Sequence, residues 1–179
     1  MSKDTSYLLK KSFGLRREMS MGFYLCDFLF RRLLRQNADT NWAVHHSSTI
    51  HSPKNIVKGI NVYPGDSPGV YINANNGVRV GDYTNIGPNV GIISSNHDVI
   101  DNHRQVSAQP IEIGKYCWLG MGAIVLPEVT LGDFTIVGAG AVVTKSFAEG
   151  YCVIAGNPAK IIKQLDKEAC NAFALDKKR

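Results

Sequence analysis

The sequence has little of several features that often reveal a function. Aromatic residues make up 9% of the 179 residues, and the four cysteines show no CxxC or paired spacing. Scattered thiols, in a chain without a recognisable signal sequence, favour a reducing, cytoplasmic location over a disulfide-stabilised secreted domain. No apolar run is long enough to span a bilayer. We therefore expect one cytoplasmic domain of ordinary size.

The net charge of +5 is unevenly distributed. Residues 1–35 hold eight Lys or Arg against three acids, residues 36–158 hold six against nine, and residues 159–179 hold six against three. The body has no basic stripe interleaved with aromatics, which argues against a nucleic-acid partner. Two basic ends instead favour contact with phosphates, either on a cofactor or on a membrane surface.

An aliphatic residue recurs every six positions through the second half of the chain. The members of this register are Ile113, Leu119, Val125, Leu131, Val137 and Val143. Four residues after each comes a residue that is small or β-branched in all cases but the last: Cys117, Ala123, Val129, Thr135, Ala141 and Phe147. This period fits neither a helix nor a simple strand. It predicts stacked coils of three hexads each, with the aliphatic positions inside.

The same register holds earlier in the chain and is then interrupted. It covers Val44, Ile50, Ile56 and Val62, then Val80, Ile86 and Ile92. Residues 93–112 break it with a polar stretch, and a long excursion from a compact repeat domain is usually functional. We predict a coil domain over residues 41–157 with an excursion loop over 93–112.

Both ends of the chain lack the hexad pattern. Residues 1–40 are predicted to form an N-terminal helical cap segment with a helix over 16–36, and residues 158–179 a C-terminal helix. The first helix has apolar residues at helical spacing between two pairs of arginines, a pattern that is compatible with two roles. It either caps the stacked core or rests on an anionic membrane as a basic amphipathic segment.

Several segments together resemble a known family. The hexads, "SSNHD", "PIEIGKYCWLG", "VGAGAVVTKSF" and "AGNPAKIIK" are similar to the hexapeptide-repeat acyltransferases. The most similar branch contains galactoside, maltose and streptogramin acetyltransferases and the sugar acetyltransferases of surface-polysaccharide gene clusters. The resemblance covers about Val44 to Leu165. It implies a mainly β fold, a left-handed parallel β-helix, whose handedness comes from the resemblance alone. It also implies acetyl-CoA as co-substrate and a homotrimer with sites between chains.

The resemblance assigns roles to residues around the excursion. His97 matches the catalytic histidine, and a neutral imidazole suits a general base near pH 7. Asp98, next in sequence, is a candidate for orienting that ring or contacting the acceptor. Asn73 and Trp118 match positions that bind the acceptor or line the cleft.

Further residues match positions that hold coenzyme A. The backbone of Met121 and Ala139 would hydrogen-bond the pantetheine arm, and the small residues of "LGMGA" and "VGAGA" would let that arm approach closely. Thr144 and Lys145 match a pair that contacts the cofactor. Lys160 and Lys163 match two basic residues that meet its phosphates.

The expected function is that of an acetyl-CoA-dependent O-acetyltransferase. It would act on a sugar hydroxyl of a small-molecule or glycan acceptor, in surface-polysaccharide assembly at the inner face of the membrane. His97 would activate the hydroxyl for direct attack, with Cys117 a packing residue. The alternatives are an N-acetyltransferase of an amino sugar or antibiotic-like acceptor, and a non-catalytic β-helical scaffold. The zinc-binding histidines of β-helical carbonic anhydrases have no match here, so no metal is expected.

Overall fold

Short strands, most of them two or three residues long, build the fold. The computed structural model describes residues 19–177, in which the chain passes repeatedly through three sheets in the same order. Sheet A contains β1 (Thr49–His51), β3 (Tyr71–Asn73), β6 (Gly91–Ile93), β9 (Ile124–Val125) and β12 (Val142–Val143). Sheet B contains β2 (Ile56–Lys58), β4 (Val78–Val80), β7 (Ile111–Ile113) and β10 (Thr130–Leu131). Sheet C contains β5 (Asn85–Ile86), β8 (Trp118–Leu119), β11 (Thr135–Val137), β13 (Cys152–Ala155) and β14 (Lys160–Gln164).

The pairing between coils gives the period of the repeat. Ile136 pairs with Trp118 and Val142 with Ile124, in parallel, so one coil takes eighteen residues there. The earlier coils are longer, because Tyr71 pairs with Thr49 on one side and with Gly91 on the other. These extra residues lie where the hexad register has no regular member, between Val62 and Val80, and they explain why the sequence pattern loosens over residues 68–77. The mainly β class of parallel sheets is confirmed.

The predicted inward positions form the core. All six aliphatic positions of the later register are at most 3% exposed. Four residues after each aliphatic position, the small or β-branched side chains are buried too, and Phe147 packs against the core from a partly exposed position. The three sheets therefore enclose one continuous apolar interior. We name its corners by the sheets that they join: AB, BC and CA.

Glycines at corner BC allow successive coils to approach each other. A β-carbon on Gly81 would lie 2.7 Å from the backbone of Gly114 and Lys115, and one on Gly114 would lie 2.6 Å from the nitrogen of Asp133. Neighbouring strands lie about 4.8 Å apart. At that spacing the backbone of the next coil occupies the space that a side chain at these positions would need.

Aromatic side chains form a column at the same corner. Tyr83, Tyr116, Phe134 and Tyr151 all have positive φ angles, between 50° and 59°. Their rings stack in succession with centroids 5.2, 4.9 and 5.5 Å apart. A left-handed conformation costs a non-glycine residue roughly 1–2 kcal/mol. Stacking of about 0.5–1.5 kcal/mol per aromatic pair offsets much of that cost.

The first helical segment caps the open end of the coil. Helix α1 (Met21–Asp27), N-capped by Ser20, continues as a π-helix (Phe28–Leu33). The buried Asp27 accepts a hydrogen bond from the nitrogen of Val44. The side chain of Asn37 donates to the carbonyl of Ser48 and accepts from the nitrogen of Ile50, as a neighbouring strand would. The predicted helix over 16–36 thus starts at Met21 within the described residues, and its first predicted residues, 16–18, lie outside them.

The C-terminal segment differs from its predicted form. Residues 160–164, expected to belong to a helix starting at 158, form β14, which pairs antiparallel with β13. The physical reason is the otherwise unpaired edge of β13. Its backbone N–H and C=O groups gain hydrogen bonds from β14, whereas a helix would leave them without partners. Ile161 and Ile162 are exposed, so their burial does not favour a helix. A shorter helix, α2 (Lys167–Asp176), begins after Asp166, whose carboxylate accepts from the nitrogens of Glu168 and Ala169.

Helix α2 packs on the aromatic column. The ring of Phe173 meets that of Tyr116 edge-on at 6.0 Å, and the hydroxyl of Tyr151 lies 3.0 Å from Oδ1 of Asn171. The column therefore holds the C-terminal helix against the coil.

The stacked corners give a stability prediction. Gly81→Ala should lower the free energy of unfolding by about 1–3 kcal/mol, because its β-carbon meets the backbone of the next coil. Gly91→Ala is the matched control, since its β-carbon would make only ordinary contacts with Ile124 at 3.6 Å or more. That control should be neutral or stabilising by about 0.5–1 kcal/mol. Denaturant unfolding of both variants measures the difference, and equal losses would contradict the stacking argument.

Candidate functional site

The excursion is a hairpin that leaves corner AB. His97 and Gln105 form an antiparallel bridge, the nitrogen of Asp98 donates to the carbonyl of Arg104, and the nitrogen of Val106 donates to the carbonyl of Asn96. The excursion differs from the loop predicted over 93–112 in two respects. Its first residue and its last two belong to β6 and β7, and its centre is paired backbone.

Asp98 stabilises the turn of this hairpin. Its carboxylate accepts hydrogen bonds from the nitrogens of Ile100 and Asp101 and forms an ion pair with Arg104. These partners, the Ile100 N–H first among them, hold the pKa of the Asp98 carboxyl below its ordinary value. The hydrogen bonds of the carboxylate thus go to its own loop and not to the His97 ring. Contact of Asp98 with an acceptor remains a prediction.

Two asparagines fasten the hairpin to the preceding coil. The side-chain nitrogen of Asn76 donates to the carbonyls of Ser94 and Val106, both at 3.0 Å, and so joins the two ends of the excursion. Asn75 donates to the side chain of Gln105, the bridge partner of His97. Our sequence reasoning missed this clamp. The sequence feature that could have indicated it is the polar segment "NANNG", residues 73–77, which interrupts the hexad pattern.

The hairpin presents His97 to solvent. The imidazole is exposed and makes no hydrogen bond to any group within residues 19–177. At the tip, Val99 and Ile100 are 100% and 94% exposed. These two β-branched side chains thus form an apolar tip that residues 19–177 do not cover.

Sheet C presents a second set of the predicted residues on its outer face. Trp118, 54% exposed, lies between Asn85 and Ile136 on neighbouring strands, and the same row continues through Val153 to Lys163.

A β-bulge places the two predicted phosphate-binding lysines on this same side. Residues three apart in a regular strand point to opposite faces. The register shift in the β13–β14 pair instead puts Lys160 opposite Ala155 and Lys163 opposite Val153, the two outward positions of β13. Both lysines are exposed, so a ligand with several phosphates could contact both.

Corner CA corrects one part of the sequence interpretation. Gly120 and Gly138 do not make room for a ligand, since a β-carbon on either would lie 2.8 or 3.0 Å from atoms of the next coil. Gly122 and Gly140 are different. Both have φ near +68°, and a β-carbon on Gly140 would meet nothing within 4 Å. Only the second glycine of each motif therefore borders open space.

The backbone beside these glycines has free donors. The carbonyl of Met121 accepts from the nitrogen of Gly140 at 2.8 Å. In the described part of the chain, the N–H groups of Met121 and Ala139 have no hydrogen-bond partner. Both residues are exposed, so these two N–H groups remain free to bind a ligand.

The structure divides the predicted site residues into two groups. At corner AB lie Asn73, His97, Asp98, Thr144 and Lys145, because each follows or ends a strand of sheet A. On sheet C and corner CA lie Trp118, Met121, Ala139, Lys160 and Lys163. The first group lies at the C-terminal ends of the sheet A strands, and the second lies on sheet C and at the N-terminal ends of the sheet A strands. One chain therefore does not bring His97 and Trp118 together.

Cys117 is unsuited to nucleophilic chemistry. Its side chain is 2% exposed and its thiol donates to the carbonyl of Gly132. Burial raises the pKa of the Cys117 thiol to about 12. The predicted packing role is confirmed by this burial.

The bacterial transferase hexapeptide model, which comprises six repeats, matches residues 110–145. This segment coincides with the unbroken hexads. The match is to the repeats of this family within that segment of the chain.

Individual relatives cover parts of the chain. Nodulation protein L of Rhizobium leguminosarum bv. viciae is 39% identical over 97 residues, which are 49% of this chain and 50% of that protein. The putative colanic acid biosynthesis acetyltransferase WcaF of Escherichia coli is 32% identical over 101 residues, 56% of this chain and 54% of that one. The chain thus matches about half the length of these curated relatives.

A solved structure extends the similarity to nearly the whole chain. A galactoside acetyltransferase in complex with coenzyme A aligns with a TM-score of 0.65 and 22% identity, covering 90% of this chain and 92% of that one. At this identity the match establishes the fold.

The asparagine clamp gives a prediction about the hairpin. Asn76→Ala removes both hydrogen bonds that join its ends, so amide hydrogen exchange within residues 94–106 should accelerate by about tenfold or more. Asn55→Ala is the control, because the side chain of Asn55 donates at the same corner to the carbonyls of Ala74 and Asn75 and not to the hairpin. Unchanged exchange in Asn76→Ala, or equal acceleration in both variants, would show that the clamp does not hold the hairpin.

Proposed function

We propose that the protein is an acetyl-CoA-dependent O-acetyltransferase that acts on a sugar hydroxyl. The observation that carries this proposal is the exposed His97 imidazole on a hairpin that Asn75 and Asn76 fasten to the rod. A general base must be held in place and yet be open to its substrate. A scaffold without catalytic function has no need of such an arrangement.

The proposed reaction proceeds by direct transfer. His97 takes the proton of the acceptor hydroxyl as its oxygen attacks the thioester carbonyl. The carbon–sulfur bond then breaks, and the imidazolium returns the proton to the leaving sulfur, which gives the acetyl ester and free coenzyme A. No covalent enzyme intermediate is required, which agrees with the burial and raised pKa of Cys117.

The residues on sheet C fit a coenzyme A molecule. Lys160 and Lys163 supply two exposed cations on one side of the sheet for its phosphates, although lysine lacks the bidentate grip of arginine. The free N–H groups of Met121 and Ala139 beside the open Gly140 suit the amides of its pantetheine arm. The bound coenzyme of the galactoside acetyltransferase supports the same co-substrate. Thr144 and Lys145 remain candidates for further contacts.

For the acceptor we infer a glycan precursor of a surface polysaccharide, with Asn73 and Trp118 among its contacts. The supporting observation is the similarity to WcaF, named for colanic acid biosynthesis. We place the enzyme on the cytoplasmic side of the membrane, where its free thiols would stay reduced.

We infer that the active form is a homotrimer of left-handed β-helices with sites between chains. The separation of His97 from Trp118 in one chain supports this assembly, because the hairpin of one subunit can meet sheet C of the next. The apolar tip formed by Val99 and Ile100 would then be covered by that neighbour. The handedness is the one implied by the family resemblance.

His97→Ala tests the role of the base. It should lower kcat by at least about 100-fold while acetyl-CoA binding is retained, because general-base catalysis contributes 10²–10⁴-fold. His103→Ala is the matched control, an exposed histidine on the same hairpin. Turnover is measured as acetyl-CoA consumption over a panel of sugars, nucleotide sugars and amino sugars, and binding by calorimetry. Normal turnover in His97→Ala would refute the mechanism, and a preference for amino sugars would identify N-acetylation instead.

Mixed trimers test whether the site is shared between chains. His97→Ala and Trp118→Arg should each be inactive alone, yet co-expression should restore about a quarter of the wild-type sites, because one interface in four then pairs an intact hairpin with an intact sheet C. The activity of the co-expressed pair is compared with that of a mixture of the two separately purified homotrimers, under conditions in which they do not exchange subunits. No recovery in verified mixed trimers would place both residues in one chain's site.

A further inference from the structure

The N-terminal helical segment has an apolar outer face. Met21, Leu25, Phe28 and Leu29 recur at three- and four-residue steps and are 40%, 70%, 55% and 43% exposed. Leu33, at 62%, extends this set into the end of the π-helix. We call these five residues the outer apolar face. An exposed helical face of a soluble protein is normally polar.

Capping of the coil does not account for this face. The contacts that close the first coil come from the other side of the helix, where Asp27 accepts from Val44 and the ring of Phe30 stacks on His46 at 4.9 Å. Polar residues on the outer side would preserve every one of these contacts. The apolar side chains there therefore need a separate explanation.

The exposed charges of the helical segment itself have one sign. Asp27 is the sole acid among residues 19–36, and it is buried in a bidentate pair with Arg31. The exposed charges of this segment are Arg32 and Arg35. Self-association through this face would bring arginines together, whereas an anionic lipid surface would complement them.

A cleft next to the face adds a place for an anionic headgroup. It has a volume of about 600 Å³ and lies between the helix and the first coil, with Phe28 and Arg32 at the helix side. Trp42, Lys58 and Asp66 are among its other walls, so its two cations outside the Asp27–Arg31 pair, Arg32 and Lys58, outnumber its one carboxylate outside that pair. The ammonium of Lys58 lies 5.0 Å from the ring centroid of Tyr63. The outer apolar face and these cations are thus continuous.

We propose that the outer apolar face docks on the surface of an anionic lipid bilayer, with the helix lying in the interface. Leu25, Phe28 and Leu29 would enter the acyl boundary while Arg32 and Arg35 meet lipid phosphates. No helix within residues 19–177 has the length and apolar character needed to cross a membrane, so the contact is peripheral. This inference is independent of the transferase chemistry and goes beyond it.

Vesicle co-sedimentation of the full chain tests the proposal. The chain should bind vesicles of equimolar phosphatidylglycerol and phosphatidylcholine and should not bind phosphatidylcholine alone. Leu25→Glu should weaken binding by about tenfold or more, because it replaces an inserted side chain by a charge. Arg32→Gln and Arg35→Gln should each weaken it by about fivefold. Leu175→Glu is the matched control, since Leu175 is 65% exposed on the C-terminal helix.

Several outcomes would overturn the proposal. They are equal binding to both vesicle types, equal effects of Leu25→Glu and Leu175→Glu, and an effect of Leu25→Glu on subunit association in place of vesicle binding. Circular dichroism of each variant verifies that the coil is intact, and analytical ultracentrifugation reports subunit association. Because the readout is lipid binding, loss of turnover in His97→Ala bears on the transferase proposal and leaves this one untouched.

Discussion

Each coil must stay within hydrogen-bonding distance of the next one around its entire perimeter. The parallel strands meet this requirement along the flat sides through ladder hydrogen bonds. At the corners it becomes a steric limit, and this limit explains why Gly81, Gly114 and Gly132 follow one another up corner BC. It also explains the aromatic column, because left-handed corner residues project their side chains outward, where Tyr116 and Phe134 can stack.

The hairpin is a part of the chain that lies outside this repeat. The hairpin that carries His97 leaves the coil at a corner and is held there by side chains instead of ladder hydrogen bonds. Asn76 spans its two ends, and Asp98 closes its turn. The result is an arm that is fastened to the wall where it begins and ends and whose tip, Val99 and Ile100, is exposed.

The hexads predicted the coil and its buried positions because an inward position recurs with the geometry of the repeat. The same reasoning failed where a contact depends on residues far apart in sequence. "KIIKQ" was expected to be helical, and only the free edge of β13 makes it a strand. Gly120 and Gly122 look alike in the sequence, yet one is enclosed by the next coil and the other faces solvent.

The contacts that hold the hairpin could not be predicted from local composition either. The polar excursion has no alternation to mark its paired strands, and Asn76 lies eighteen residues before Ser94. The grouping of Trp118 with Lys163 required the register of four strands and a bulge. The family resemblance predicted which residues to examine, and the strand topology showed that they lie in two separate groups.

The two ends of the rod have different closures. At one end the amide of Asn37 occupies the place of a strand beside β1. At the other, β14 reverses the direction of sheet C and is followed by a helix. A parallel stack with open edges could add further copies end to end and grow into a fibre. Here the reversed strand replaces a parallel edge on sheet C, and the side chain of Asn37 occupies the edge of sheet A beside β1, so neither of these two edges offers a parallel strand for end-to-end addition.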